Sequence, residues 1–190
     1  KYTFILMCFV AFPVLLEMEF LLSIWLKEVP EGSATFCRLM ILGALLGCLG
    51  EGIPALVNAT GNIKNYQIII HSFTLLGLPI SFVCYKLGAT PFAILNVFCC
   101  ISFLLAFIRL YLLKRIFDFD IRQFIEISFI KIGFISVPLL VFYILYNPAL
   151  FPIWGHILGI VLSEIFLVTV IVLIGLDKEE RQLLASFVKK

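Results

Sequence analysis

The chain has 190 residues, 63% of them hydrophobic, with 20 Phe and a net charge of +2. Only 14% of residues are charged, and mean hydropathy is +1.15. A water-soluble domain usually carries about 25% charge, so that class is excluded, and the near-neutral balance argues against a nucleic-acid partner.

Six apolar stretches carry nearly all the mass: Phe4–Leu26, Phe36–Val57, Tyr66–Tyr85, Pro91–Leu113, Ile127–Tyr146 and Ile153–Leu176. Each reaches about 20 residues, the length an α-helix needs to cross roughly 30 Å of hydrocarbon. The predicted fold is all-α: a polytopic membrane protein with six transmembrane helices. The first stretch is too long for a signal-peptide core and lacks a small-residue cleavage site. The chain opens on Lys1 rather than a start methionine and is expected to be a segment of a longer protein.

The first span holds Glu17, Glu19 and Pro13. Carboxylates at membrane depth cost about 2.5–3.5 kcal/mol each on insertion scales, and usually face a cavity or a partner. In one straight helix, positions two apart point about 200° apart, so the two acids are not expected to share a face. The second span carries Arg38, Glu51, Pro54 and a stripe of Gly43, Gly47 and Gly50. Arg38 is placed to pair with Glu19 or Glu17, and the glycines suit close helix packing. His71 and Pro79 fall in the third span, Pro138 in the fifth, His156 and Glu164 in the sixth. His156, near a helix end, is expected to be a wetted interface residue. Proline at depth frees a backbone carbonyl and permits bending. After Gly175, Asp177 and Glu180 read as a capping pair. Leu183, Leu184, Phe187 and Val188 then share a face, predicting a cytoplasmic amphipathic tail over 177–190; a frayed basic tail is the alternative.

Eleven of the fourteen basic residues fall in one alternating set of links, from Lys1 and Lys64 through Arg109, Lys114, Arg115, Arg122 and Lys131 to Lys178, Arg181, Lys189 and Lys190. The other set holds Lys27, Arg38 and Lys86. The positive-inside rule puts the rich set, and with it both ends of the segment, in the cytoplasm. Trp25, Tyr85, Tyr146 and Trp154 then sit at the external boundary, where aromatic side chains act as anchors. Asn58-Ala-Thr60 matches a glycosylation sequon, but it falls on the cytoplasmic side.

Six cysteines, all in apolar spans, show no metal-ligand spacing and read as small packing hydrophobes. There is no His-Glu-x-x-His, no Gly-x-Ser-x-Gly and no P-loop. No enzyme activity, cofactor or metal is expected.

Several motifs carry a family resemblance. The turn Ala55-Leu-Val-Asn-Ala-Thr-Gly-Asn-Ile-Lys-Asn-Tyr-Gln67 resembles the turn between two helices of bacterial polysaccharide-export flippases, where a Lys often stands at the position of Asn62. Those flippases share a superfamily with multidrug and toxin extrusion transporters and lipid II flippases. Phe20–Leu26 with Val29-Pro30, Leu78–Ser81 with Gly88–Pro91, Arg109–Lys114 and Gly175–Arg181 resemble further helix ends of the family. The resemblance implies that residues 1–113 form the last four helices of the second lobe of a two-lobe transporter. It implies that 114–176 form two added C-terminal helices, the first lobe being the missing N-terminal part. It implies a bacterial inner-membrane protein that flips an undecaprenyl-type lipid-linked oligosaccharide by alternating access. Substrate or ion pathway candidates are Glu17, Glu19, Arg38, Glu51, Lys64, His71 and Glu164, with Arg38 and Lys64 toward phosphate or sugar acids. A cation-coupled multidrug antiporter and a non-transporting membrane scaffold are the alternative functions.

Overall fold

A computed structural model describes residues 1–59, 61, 63–116, 129–146, 153–176, 180 and 182. Every regular element among them is helical. The predicted tail face at 183–188, the cap at Asp177, the external link 147–152 and the side chain of Trp154 lie outside the described residues. So do Thr60 and Asn62 of the turn.

The helices are α1 (Tyr2–Leu16), α2 (Met18–Trp25), α3 (Ser33–Gly47), α4 (Gly52–Ala59), α5 (Ile63–Leu75), α6 (Gly77–Lys86), α7 (Ala93–Ile116), α8 (Lys131–Leu145) and α9 (Ile153–Val170). A short 3₁₀ turn, Cys48–Gly50, joins α3 to α4, and a π-turn, Ile171–Gly175, closes α9. Four continuous helical runs are long and apolar enough to cross a membrane: Ser33–Ala59, Ile63–Lys86, Ala93–Arg115 and Gly155–Gly175. They coincide with the second, third, fourth and sixth apolar stretches. The helix in the fifth stretch, Lys131–Leu145, is apolar but shorter.

The first stretch is not one straight helix. α1 and α2 meet at a 76° bend with Glu17 at the break. Pro13 starts the distortion, because it has no N–H to donate back one turn. The Glu17 N–H still bonds the Pro13 carbonyl at 3.0 Å, and its carbonyl receives Leu21 N–H at 2.9 Å. The chain therefore turns without stranding the backbone at Glu17, as a membrane segment requires. The two acids do not share a face, as expected, but the bend rather than the 200° spacing separates them: Glu17 is buried at the junction and Glu19 is exposed in the first turn of α2.

The chain divides into two compact units. Unit 1 comprises Lys1–Trp25 and Phe124–Lys190; unit 2 comprises Leu26–Gln123. Packing thus joins the first stretch to the fifth and sixth, whereas the resemblance groups it with the second to fourth. In unit 1, α1 packs on α9 and on α8. Phe12, Phe142 and Phe166 form an aromatic seam, with centroids 5.7 Å and 4.7 Å apart. Lys1 Nζ lies 2.7 Å from both carboxylate oxygens of Glu180.

In unit 2, α7 is the central helix, touched by α3, α4, α5 and α6. The glycine stripe of the second stretch serves this packing at two of its three positions. A Cβ on Gly43 would lie 3.5 Å from Cys99 Sγ, and one on Gly50 would lie 2.9 Å from Arg109 Cδ. Gly47 has nothing within 4 Å. Gly32 opens α3 with φ 82° beneath the Phe92 ring, a left-handed conformation that only glycine adopts cheaply.

Large apolar side chains such as Leu6, Ile24, Leu104, Phe134, Leu145 and Leu173 are exposed on the outer faces. Water does not tolerate so much apolar surface on a monomer, whereas acyl chains do. The six cysteines are all free thiols, as their placement in apolar helices implies.

Candidate functional site: a buried carboxylate at a broken helix

Glu17 is 1% exposed, the most enclosed charged side chain among the described residues. The bend carries its carboxylate off the α1 axis and toward α8 and α9. Oε1 accepts a hydrogen bond from the Tyr146 hydroxyl, which stands at the end of α8. Oε2 lies 2.7 Å from His156 Nδ1, in the first turn of α9. Gly159, one turn further along α9, leaves the space these groups occupy: a Cβ there would clash with the Tyr146 hydroxyl and come within 3.1 Å of Glu17 Oε1.

Two rings fix the donors. Phe20, one turn past the break, stacks on the imidazole with centroids 4.5 Å apart and planes 11° apart. Phe142 stacks on Tyr146 at 5.9 Å and 15°. With the carboxylate ionised, the phenol and the Nδ1–H both donate to it, and Nε2 becomes the free end of the imidazole. The histidine side chain is 20% exposed against 1% for the carboxylate. The cluster joins a phenol, a carboxylate and an imidazole in one hydrogen-bonded set at the helix break.

The other candidate residues fall elsewhere. Glu19 is exposed on α2. Arg38 is half-buried on α3, in unit 2. Glu51 is exposed at the start of α4, and Lys64 is exposed in the first turn of α5. His71, also exposed, lines a cleft of about 690 Å³ with Gln67, Ser72, Thr74, Leu75 and Phe98. Gln67, His71 and Thr74 recur at helical spacing, so α5 presents a polar stripe within an apolar run. Glu164 lies on α9 with Oε2 buried and without a hydrogen-bond partner among the described residues.

Two residues of the cluster were read from sequence as something else. His156, expected as an interface residue, is also the partner of a buried carboxylate, and Tyr146 anchors that carboxylate as well as ending a helix. Their separations from Glu17, 139 and 129 residues, hide the pairing from any local motif. One signal was available: a glutamate in an apolar run requires a partner, and the chain has only 2 histidines.

Among the described residues no group of three or more His, Cys, Asp or Glu is placed to hold a metal. No family model, no curated protein and no solved structure matches the chain.

Proposed function

We propose that this chain is part of an inner-membrane transporter that flips a lipid-linked oligosaccharide by alternating access, with Glu17 as the site that couples transport to a proton or another cation. The observation that carries the reading is the buried carboxylate at a 76° helix break, held by a phenol and an imidazole. Interrupted membrane helices with ionisable groups at the break are the common construction of ion sites in secondary transporters. The polar stripe of α5, exposed along its cleft, suits a helix facing an aqueous path, since lipid would penalise Gln67 and His71 there. The six-span arrangement, with basic links and both ends in the cytoplasm, belongs to this reading. So does the lobe assignment that the motifs imply. The meeting of Lys1 with Glu180 fits two ends on one side of the membrane.

Substitution of Glu17, Glu51 and Glu164 by Gln, one at a time in the full-length protein, tests the proposal through polysaccharide export. Loss of export with Glu17→Gln at normal expression is expected. Export unchanged in all three variants removes the acids from the transport cycle. The antiporter reading of the same superfamily shares the carboxylate chemistry; it predicts drug resistance on overexpression and no effect on export.

A further inference from the structure

A second polar cluster lies in unit 2, where α5 begins and α7 finishes. Tyr66, on the first turn of α5, is 4% exposed. Its hydroxyl is enclosed and has no hydrogen-bond partner among the described residues. Arg109, on α7, is half-buried, and its Nε–H is likewise enclosed and unpartnered. Gly50 gives the guanidinium its seat: a Cβ there would lie 2.9 Å from Arg109 Cδ and 3.3 Å from an Nη.

Buried polar groups are normally paired, and each orphan costs about 1–3 kcal/mol. Two orphaned hydrogen-bond donors on helices that pack together, α5 and α7, share one need, an acceptor. Glu51, the nearby carboxylate, is exposed and leaves Nε unpartnered. The surroundings are basic: Lys64 stands two residues before Tyr66, and Lys114 and Arg115 close the last turn of α7. Among the described residues, four cations against one carboxylate at the end of two apolar helices make an environment for an anion with several acceptor oxygens. Arginine meets phosphate with two parallel N–H donors.

We infer that Tyr66 and Arg109 form a binding site for a phosphate group, with Lys64, Lys114 and Arg115 drawing it in. The site does not involve the Glu17 cluster; Lys64 is shared with the transport reading, but the site does not rest on that reading. The same chemistry is offered by an anionic phospholipid headgroup and by a free phosphate or pyrophosphate, and one experiment separates them.

The full chain, purified in a maltoside detergent that contains no phosphate, is titrated with phosphatidylglycerol and separately with inorganic pyrophosphate, and bound ligand is read by native mass spectrometry. Arg109→Gln weakens the bound ligand at least about tenfold, the effect of one charge-assisted bond, and Tyr66→Phe weakens it about fivefold. Lys86→Gln, at the far end of α6, changes nothing. Phosphatidylglycerol binding that pyrophosphate does not displace makes the site a headgroup site; displacement at millimolar pyrophosphate makes it a site for free phosphate groups. Tyr66→Phe removes one oxygen and keeps the ring, so it serves even if Arg109→Gln fails to fold. Equal binding by the wild type and both variants, or no binding of either ligand, overturns the inference.

Discussion

Gly159→Ala probes the geometry around Glu17 with one methyl group. A Cβ at this position is driven into the Tyr146 hydroxyl and to within 3.1 Å of Glu17 Oε1. Neither atom is the free end of a flexible chain: the phenol is stacked on Phe142 and the carboxylate is held by His156. The methyl therefore displaces Tyr146 from Glu17. Overpacking costs about 1–3 kcal/mol, and a hydrogen bond between membrane helices is worth about 0.6–1.7 kcal/mol. Alanine's better helix propensity returns about 1 kcal/mol. The net loss is roughly 1–4 kcal/mol. Gly133→Ala is the matched control, because nothing lies within 4 Å of its Cβ; there only propensity acts, and the change is about 0.5–1 kcal/mol stabilising. Unfolding is followed by thiol-reactive fluorescence in a variant that keeps Cys8, buried in unit 1, as its lone cysteine. Opposite signs for the two substitutions are expected. A Gly159→Ala protein as stable as the wild type, or more so, would falsify the arrangement of Tyr146 over Glu17.

Tyr146→Phe, which removes the donor without adding volume, destabilises unit 1 by about 1 kcal/mol; the same melt checks it, and no change refutes the bond. Glu17→Leu in a His156→Leu background is less harmful than Glu17→Leu alone, because removing one partner of a buried pair leaves the other unsatisfied; a double-mutant cycle without coupling counts against the pair. Glu164→Leu stabilises the protein by about 1–3 kcal/mol, since a buried oxygen without a partner is removed; destabilisation in detergent melts would show that the oxygen has a ligand or partner. Gly32→Ala costs at least about 1–2 kcal/mol from its positive φ, with Phe92 Cζ 2.8 Å from the new methyl adding to it; a neutral result in unfolding titrations contradicts that turn geometry.

The apolar runs made the helices legible, because length and hydropathy alone mark a segment that can cross a bilayer. Their breaks were less legible. Pro13 announces a possible bend, but the size of the turn at Glu17 is set by what receives the carboxylate. The receivers, Tyr146 and His156, belong to helices far along the chain. The glycine stripe was legible as packing surface, yet only the structure shows that α7 fills it at Gly43 and Gly50, and that the filler at Gly50 is the arginine of a second polar cluster. Arg109 read from sequence as one of several charges in a basic link; its seat against Gly50 depends on how α7 and the 3₁₀ turn meet. Glu17, Glu51 and Glu164 look alike as acids in apolar runs, and only packing separates a paired carboxylate, an exposed one and one with an orphaned oxygen.

The most direct test of the central claim is translocation itself. Inverted membrane vesicles containing the full-length protein are given a fluorescent lipid-linked oligosaccharide, and its passage is followed with and without an imposed proton or sodium gradient. The account predicts that Glu17→Gln abolishes the gradient-driven component while protein level and substrate binding stay as in the wild type. Gradient-driven translocation at the wild-type rate in Glu17→Gln would contradict it.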